Sequence, residues 1–90
     1  MPILKMPING VLDLHTFLPK EVKFLLEDYI DECLAKGITD LRIIHGKGRG
    51  DFRRTVHSFL SKSNKVQQFQ IAPPEAGHWG ATLVKLKVPK

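Results

Sequence analysis

Apolar and polar residues alternate in short bursts along this chain, and two longer stretches follow a helical period. Val11-Leu12-Asp13-Leu14-His15 alternates, with Leu12 and Leu14 on one face and Val11, Asp13 and His15 on the other. Val22, Leu25, Leu26, Tyr29, Ile30, Cys33 and Leu34 then recur as one helical stripe, with Glu27, Asp28, Asp31 and Glu32 off it. Pro19 suits a first helical turn, Glu21 falls where a carboxylate helps a helix start, and Gly37 is a stop signal. Leu18 is a poor N-cap. A strand is expected over Asp40 to His45, a basic glycine loop over Gly46 to Gly50, and a second helix from about Asp51 to Ser61. That helix buries Phe52, Val56, Phe59 and Leu60, and His57 is expected on its solvated side. A third strand covers Val66 to Ile71 and a fourth Ala81 to Val88, separated by a loop rich in proline and glycine. In the fourth, Thr82, Val84, Leu86 and Val88 share one face.

The order is therefore βαβαββ, an α/β chain of the two-layer α+β kind. Right-handed crossovers put both helices on one face of a four-stranded mixed sheet. Leu12, Leu14 and Val84 face the helices, and Asp13, His15, Lys85 and Lys87 lie on the open side. Residues 1–9 read as a loose arm with two prolines, and residues 10–90 as one domain.

Composition narrows this picture only slightly. The 42% hydrophobic and 26% charged fractions are those of a folded globular domain. One cysteine, Cys33, makes no internal disulfide, which fits a reducing compartment. Without a signal-like start or a long apolar run, a cytoplasmic protein that spans no membrane is expected. The formal charge is +5, and its location matters more than its size: Lys47, Arg49, Arg53 and Arg54 cluster around the glycine loop. A nucleic-acid partner, DNA or RNA, is one reading of this charge, and a generic soluble surface is the other. Protein partners are not legible.

Ligands of open α/β sheets bind beyond the carboxyl ends of parallel strands. His15 ends the first strand and His45 the second, so both imidazoles are expected on one rim with the loop. Asp13, two positions before His15, is placed to orient a charged ring. One histidine could take a proton from a nucleophile and the other protonate a leaving oxygen. Gly46, Lys47, Gly48, Arg49, Arg53 and Arg54 would hold phosphate through amides and cationic side chains. With RNA the neighbouring 2′-hydroxyl can attack and no cofactor is required. With DNA water must attack, and a divalent metal becomes useful. No spacing demands a metal site of Asp13, His15 and His45. Trp79 either packs on the core edge or offers a base a stacking surface.

Three blocks resemble the small MutS-related domain, Smr. Leu12-Asp13-Leu14-His15 is similar to its L-D-x-H motif, and His45-Gly46-Lys47-Gly48 to its H-G-x-G motif. Phe52-Arg53 resembles the hydrophobic-Arg pair that often follows. Gly77-His78-Trp79-Gly80-Ala81-Thr82 resembles its closing G-G-x-G-[AV]-T block. Thr16 stands where many members have glycine, and His78 replaces the second glycine of the last block, adding a third imidazole near the rim. The resemblance implies a fold like the C-terminal domain of translation initiation factor three. It also implies nucleic-acid binding, with nicking or endonuclease activity on DNA or RNA in several members. Asp13, His15, His45 and Gly48 carry over as motif residues, Arg53 less securely. Two functions follow as expectations: an endonuclease using Asp13, His15 and His45, or a non-catalytic nucleic-acid-binding module in DNA repair, recombination or RNA quality control.

Overall fold

The computed structural model describes residues 8–14, 17–46, 50–76 and 80–88. Strand β1 (Val11–Asp13) leads into helix α1 (Pro19–Ala35), strand β2 (Asp40–Ile44), helix α2 (Gly50–Lys62), strand β3 (Val66–Ile71), a 3-10 turn (Pro74–Ala76) and strand β4 (Ala81–Leu86). The sheet order is β1-β2-β4-β3. β1 and β2 are parallel, and β4 runs antiparallel to both β2 and β3. This is the four-stranded mixed α+β sheet that the residue pattern predicts.

Alternation sets which side chains enter the core. Leu12 pairs with Ile43, Ile43 with Thr82, and Thr82 with Ile71, so these residues form one row across the sheet. Leu12, Leu14, Leu41, Ile43, Val84 and Leu86 are buried in a single cluster with residues of both helices. The two helices therefore cover the same sheet face. From α1 the cluster takes Val22, Leu25, Leu26, Tyr29, Ile30 and Cys33, the expected stripe, and from α2 it takes Phe52, Val56 and Leu60. Each fully buried Val, Leu or Ile contributes about 1.5–3 kcal/mol relative to leaving it in water. Phe59 is only partly buried against this cluster.

Local chemistry fixes the ends of α1. Leu18 has no side-chain acceptor, and its backbone N–H instead donates to the Glu21 carboxylate at 2.8 Å. Half of a capping box thus forms without a polar N-cap. Past Lys36 the chain turns at Gly37, whose φ of +76° is the left-handed conformation of a C′ glycine.

Tyr29 ties α1 to the first strand. Its hydroxyl accepts the Gly10 N–H at 3.0 Å and donates to the Val11 carbonyl at 3.1 Å. Burial pushes both the Tyr29 phenol and the Cys33 thiol above their ordinary values. On the molecular surface, Lys65 after α2 forms an ion pair with Asp31 of α1.

Several boundaries differ from expectation, and β2 ends at Ile44, one residue before His45. α2 starts one residue earlier, at Gly50, and runs to Lys62. β4 ends at Leu86, where pairing to β3 stops, and Val88 is exposed. Strand β1 ends at Asp13, although the Leu14 N–H still reaches the Ile44 carbonyl at 2.8 Å.

Candidate nucleic-acid site at the end of the sheet

The site is organised by the end of β2. Along Leu41, Ile43 and His45 every second side chain turns toward the helices, which carries the His45 ring inward, where it is 1% exposed. Its backbone N–H and that of Gly46 both donate to the Gly80 carbonyl, each at 2.9 Å. Gly46 then leaves with φ +87°, a conformation glycine adopts without strain. The start of the basic loop is therefore clasped to the residue that opens β4.

Side chains extend this clasp. His45 Nε2 lies 2.8 Å from Thr82 Oγ1, and its Nδ1 lies 3.3 Å from the Gly46 carbonyl oxygen. His57 of α2 places its own Nε2 2.8 Å from the same Thr82 hydroxyl. The two imidazole centroids are 6.2 Å apart, edge to face, and the His57 ring also meets the Phe69 ring of β3 at 5.1 Å. One hydroxyl on β4 thus joins a histidine from β2 to a histidine from α2.

Both rings are held below the ordinary histidine value. For His45 burial is the main cause; the bond to the Gly46 carbonyl opposes it and the Arg53 charge adds to it. For His57 burial again dominates, followed by the charges of His45 and Arg53. Arg53 is half-buried one helical turn before His57 and is felt by both rings. Arg54 is exposed.

Two expectations are corrected here. The His45 ring does not open onto the rim but lies beneath it, because it continues the inward-facing alternation of Leu41 and Ile43. His57 is not a solvated helix residue, because Thr82 and Phe69 receive it. Asp13 is exposed at the end of β1 and pairs in register with Ile44, one residue before His45. It therefore stands at the same end of the sheet as His45 but on the face away from the helices. Asp13 and His45 are brought to one end, and the sheet separates their side chains.

His15, Thr16, Lys47, Gly48, Arg49, His78 and Trp79 lie outside the described residues. Among the described residues no three His, Cys, Asp or Glu side chains gather as a metal site would require. No helix among them is long and apolar enough to cross a membrane.

Sequence reasoning passed over Thr82 and His57 as site residues. A signal for Thr82 was present: it shares a strand face with Val84 and Leu86, and a polar group on a buried face needs a partner. Nothing in the sequence marks His57 as that partner.

The geometry joins the second and third motif blocks directly, His45-Gly46 to Gly80 and Thr82, with Asp13 of the first block on the adjoining strand. The family model described as "Smr domain" matches residues 12–87.

The chain belongs to the Smr domain family.

The Smr assignment extends to relatives and to solved structures. The Endonuclease MutS2 of Lactobacillus helveticus is 43% identical over 79 residues, which is 88% of this chain and 10% of that protein. The chain thus spans about a tenth of the length of such curated relatives. The crystal structure of the Smr domain of Thermus thermophilus MutS2 superposes with a TM-score of 0.82 at 32% identity, covering 88% of this chain and 99% of that one. The crystal structure of YdaL, a stand-alone small MutS-related protein from Escherichia coli, gives a TM-score of 0.82 at 31% identity, covering 90% of this chain and 66% of that one.

Proposed function

We propose that this Smr domain binds nucleic acid at the β1–β2 end of its sheet and cuts a phosphodiester bond there. One observation carries the reading: all three motif blocks converge at that end, Asp13 in register beside Ile44, and His45-Gly46 held by Gly80 and Thr82. The amides and cations of Gly46, Lys47, Gly48, Arg49, Arg53 and Arg54 would hold phosphate, and His78 and Trp79 would meet the sugar or base. His15 would act as the acid or base at the reacting atoms, with Asp13 orienting it. His45 would contribute from beneath, by fixing the loop's departure from β2. The names of the MutS2 relatives support an endonuclease reading.

On RNA the 2′-hydroxyl would serve as nucleophile, and no metal would be needed. On DNA water would attack, and a divalent metal would assist. Purified protein incubated with single-stranded RNA, duplex DNA and supercoiled plasmid, each with and without EDTA, separates these cases. Cyclic-phosphate ends indicate attack by the 2′-hydroxyl, and plain ends indicate water. No cleavage of any substrate overturns the nuclease reading.

The alternative, a binding module without chemistry, is favoured by one observation: His45 is 1% exposed and both its ring nitrogens are engaged within the protein. Salt-dependent binding without cleavage is its expected result.

A further inference from the structure

We infer that His57, Thr82 and His45 form a one-directional hydrogen-bond chain, in which His57 on α2 commits the Thr82 hydroxyl to His45, reinforces the tautomer that the Gly46 carbonyl selects, and so helps position the entrance to the basic loop. The direction follows from the available donors. The Gly46 carbonyl oxygen can only accept, so at 3.3 Å the His45 Nδ1–H donates to it. A neutral His45 then has a lone pair on Nε2, and the Thr82 O–H at 2.8 Å donates into it. That hydroxyl has one hydrogen, now committed. The remaining contact, His57 Nε2 at 2.8 Å, forms only if His57 Nε2–H donates to Oγ1. The sequence runs from His57 to Thr82 to His45 to the Gly46 carbonyl, each group donating to the next.

The chain has a mechanical consequence. Gly46 is held at its N–H by Gly80 and at its carbonyl by His45, so both ends of its unit are fixed where the basic loop leaves β2. The His57 hydrogen bond goes to Thr82, and His57 meets the His45 ring edge to face, so it reaches Gly46 through these two residues. It is a positioning residue. The Phe69 ring packs edge-on against the imidazole at 5.1 Å.

A proton is accommodated differently at the two rings. Added to His57 at Nδ1, it leaves the Nε2–H bond to Thr82 in place. Added to His45 it puts a second N–H against Oγ1 and forces the Thr82 hydrogen out of the chain. Among the described residues, the groups facing these rings are Arg53 from α2, Thr82 from β4 and Phe69 from β3. None is a carboxylate that would favour the charged form of either ring.

Long-range proton–nitrogen correlation spectra of the imidazole rings, recorded above neutral pH, test the chain directly. The expected spectrum has His45 as the Nδ1–H tautomer and His57 as the Nε2–H tautomer. His57 bearing its proton on Nδ1, or either ring averaging between tautomers, overturns the inference. His57→Phe keeps the ring packing but removes the donor, and is expected to shift His45 toward a tautomer mixture. His57→Gln, whose amide N–H sits near the Nε2 position, is expected to restore the His45 signature. An unchanged His45 spectrum in His57→Phe also overturns it. If His57→Phe does not fold, the wild-type spectrum alone decides.

The bearing of this chain on cleavage rests on the function proposed above, whereas the tautomers do not. Correct tautomers in a protein that cuts nothing would sink the nuclease reading and leave the chain standing.

Discussion

His45 and Thr82, 37 residues apart in sequence, meet side chain to side chain at 2.8 Å. The contact joins the residue that follows β2 to the second residue of β4. Two of the Smr motif blocks are thus two halves of one hydrogen-bonded joint.

Thr82→Val keeps the shape of that residue and removes its hydroxyl. Both imidazoles then lose a partner while remaining inside the protein. The expected cost is about 1–3 kcal/mol, from leaving buried polar groups unsatisfied. Urea denaturation measures it, with Thr82→Ser as the control expected to lose less. A Thr82→Val protein as stable as wild type would show that the hydroxyl is not a structural joint.

Stability should fall on the acid side. His45 and His57 are both held below the ordinary value of 6.5, chiefly by burial. The folded state resists protons that the unfolded chain accepts. Their contribution is therefore complete above pH 6.5 and is lost as pH falls through 6.5 toward the folded values. The slope approaches about 1.4 kcal/mol per pH unit for each proton taken up. Urea midpoints measured down from neutral pH should drop, and should drop less steeply in His57→Gln, which has one titrating ring fewer. Equal slopes in the two proteins would contradict this account.

Two glycines separate conformational strain from steric overlap. Gly37 has φ +76° and open space where a side chain would go, so Gly37→Ala should cost roughly 1–2 kcal/mol of backbone strain alone. Gly10 has φ +94°, and an added Cβ would lie 2.9 Å from the Asp40 carbonyl oxygen. Gly10→Ala carries both penalties and should lower the melting temperature further. The opposite order would mean that the chain at Gly10 moves freely away from Asp40.

Substitutions at the sheet end should divide by role. Asp13→Asn and His15→Ala are expected to slow cleavage by about 10²-fold or more at near-wild-type stability, as losses of acid/base machinery do. Arg53→Ala should weaken binding and flatten the slope of log affinity against log salt by about 1, as for one lost phosphate contact. His45→Ala should instead lower stability, since it empties a buried position. A His45→Ala protein that melts like wild type but does not cut would return His45 to the reacting atoms.

The fold was legible because its signals are local. The helical stripe from Val22 to Cys33 and the alternation of Leu12 and Leu14 follow from backbone geometry that neighbouring residues set among themselves. Leu18 shows where such reading weakens: the poor cap is rescued by the Glu21 carboxylate three residues on. Strand order was not legible. β4 inserts between β2 and β3, and this pairing depends on hydrogen bonds between segments distant in sequence.

The same division applies to the site. By itself the sequence determined the elements and the helix-covered face of the sheet; the pairing of β1 with β2 then brings Asp13 and His45 to one end, since parallel neighbours run the same way. The inward turn of His45 was also implicit, in the alternation it shares with Leu41 and Ile43. Only the tertiary structure decided that Thr82 would join His45 to His57, a contact among β2, β4 and α2. A hydrogen bond acts over about 3 Å, and no spacing along a chain specifies which distant groups come that close. Packing of the α2 helix against β3 and β4 does.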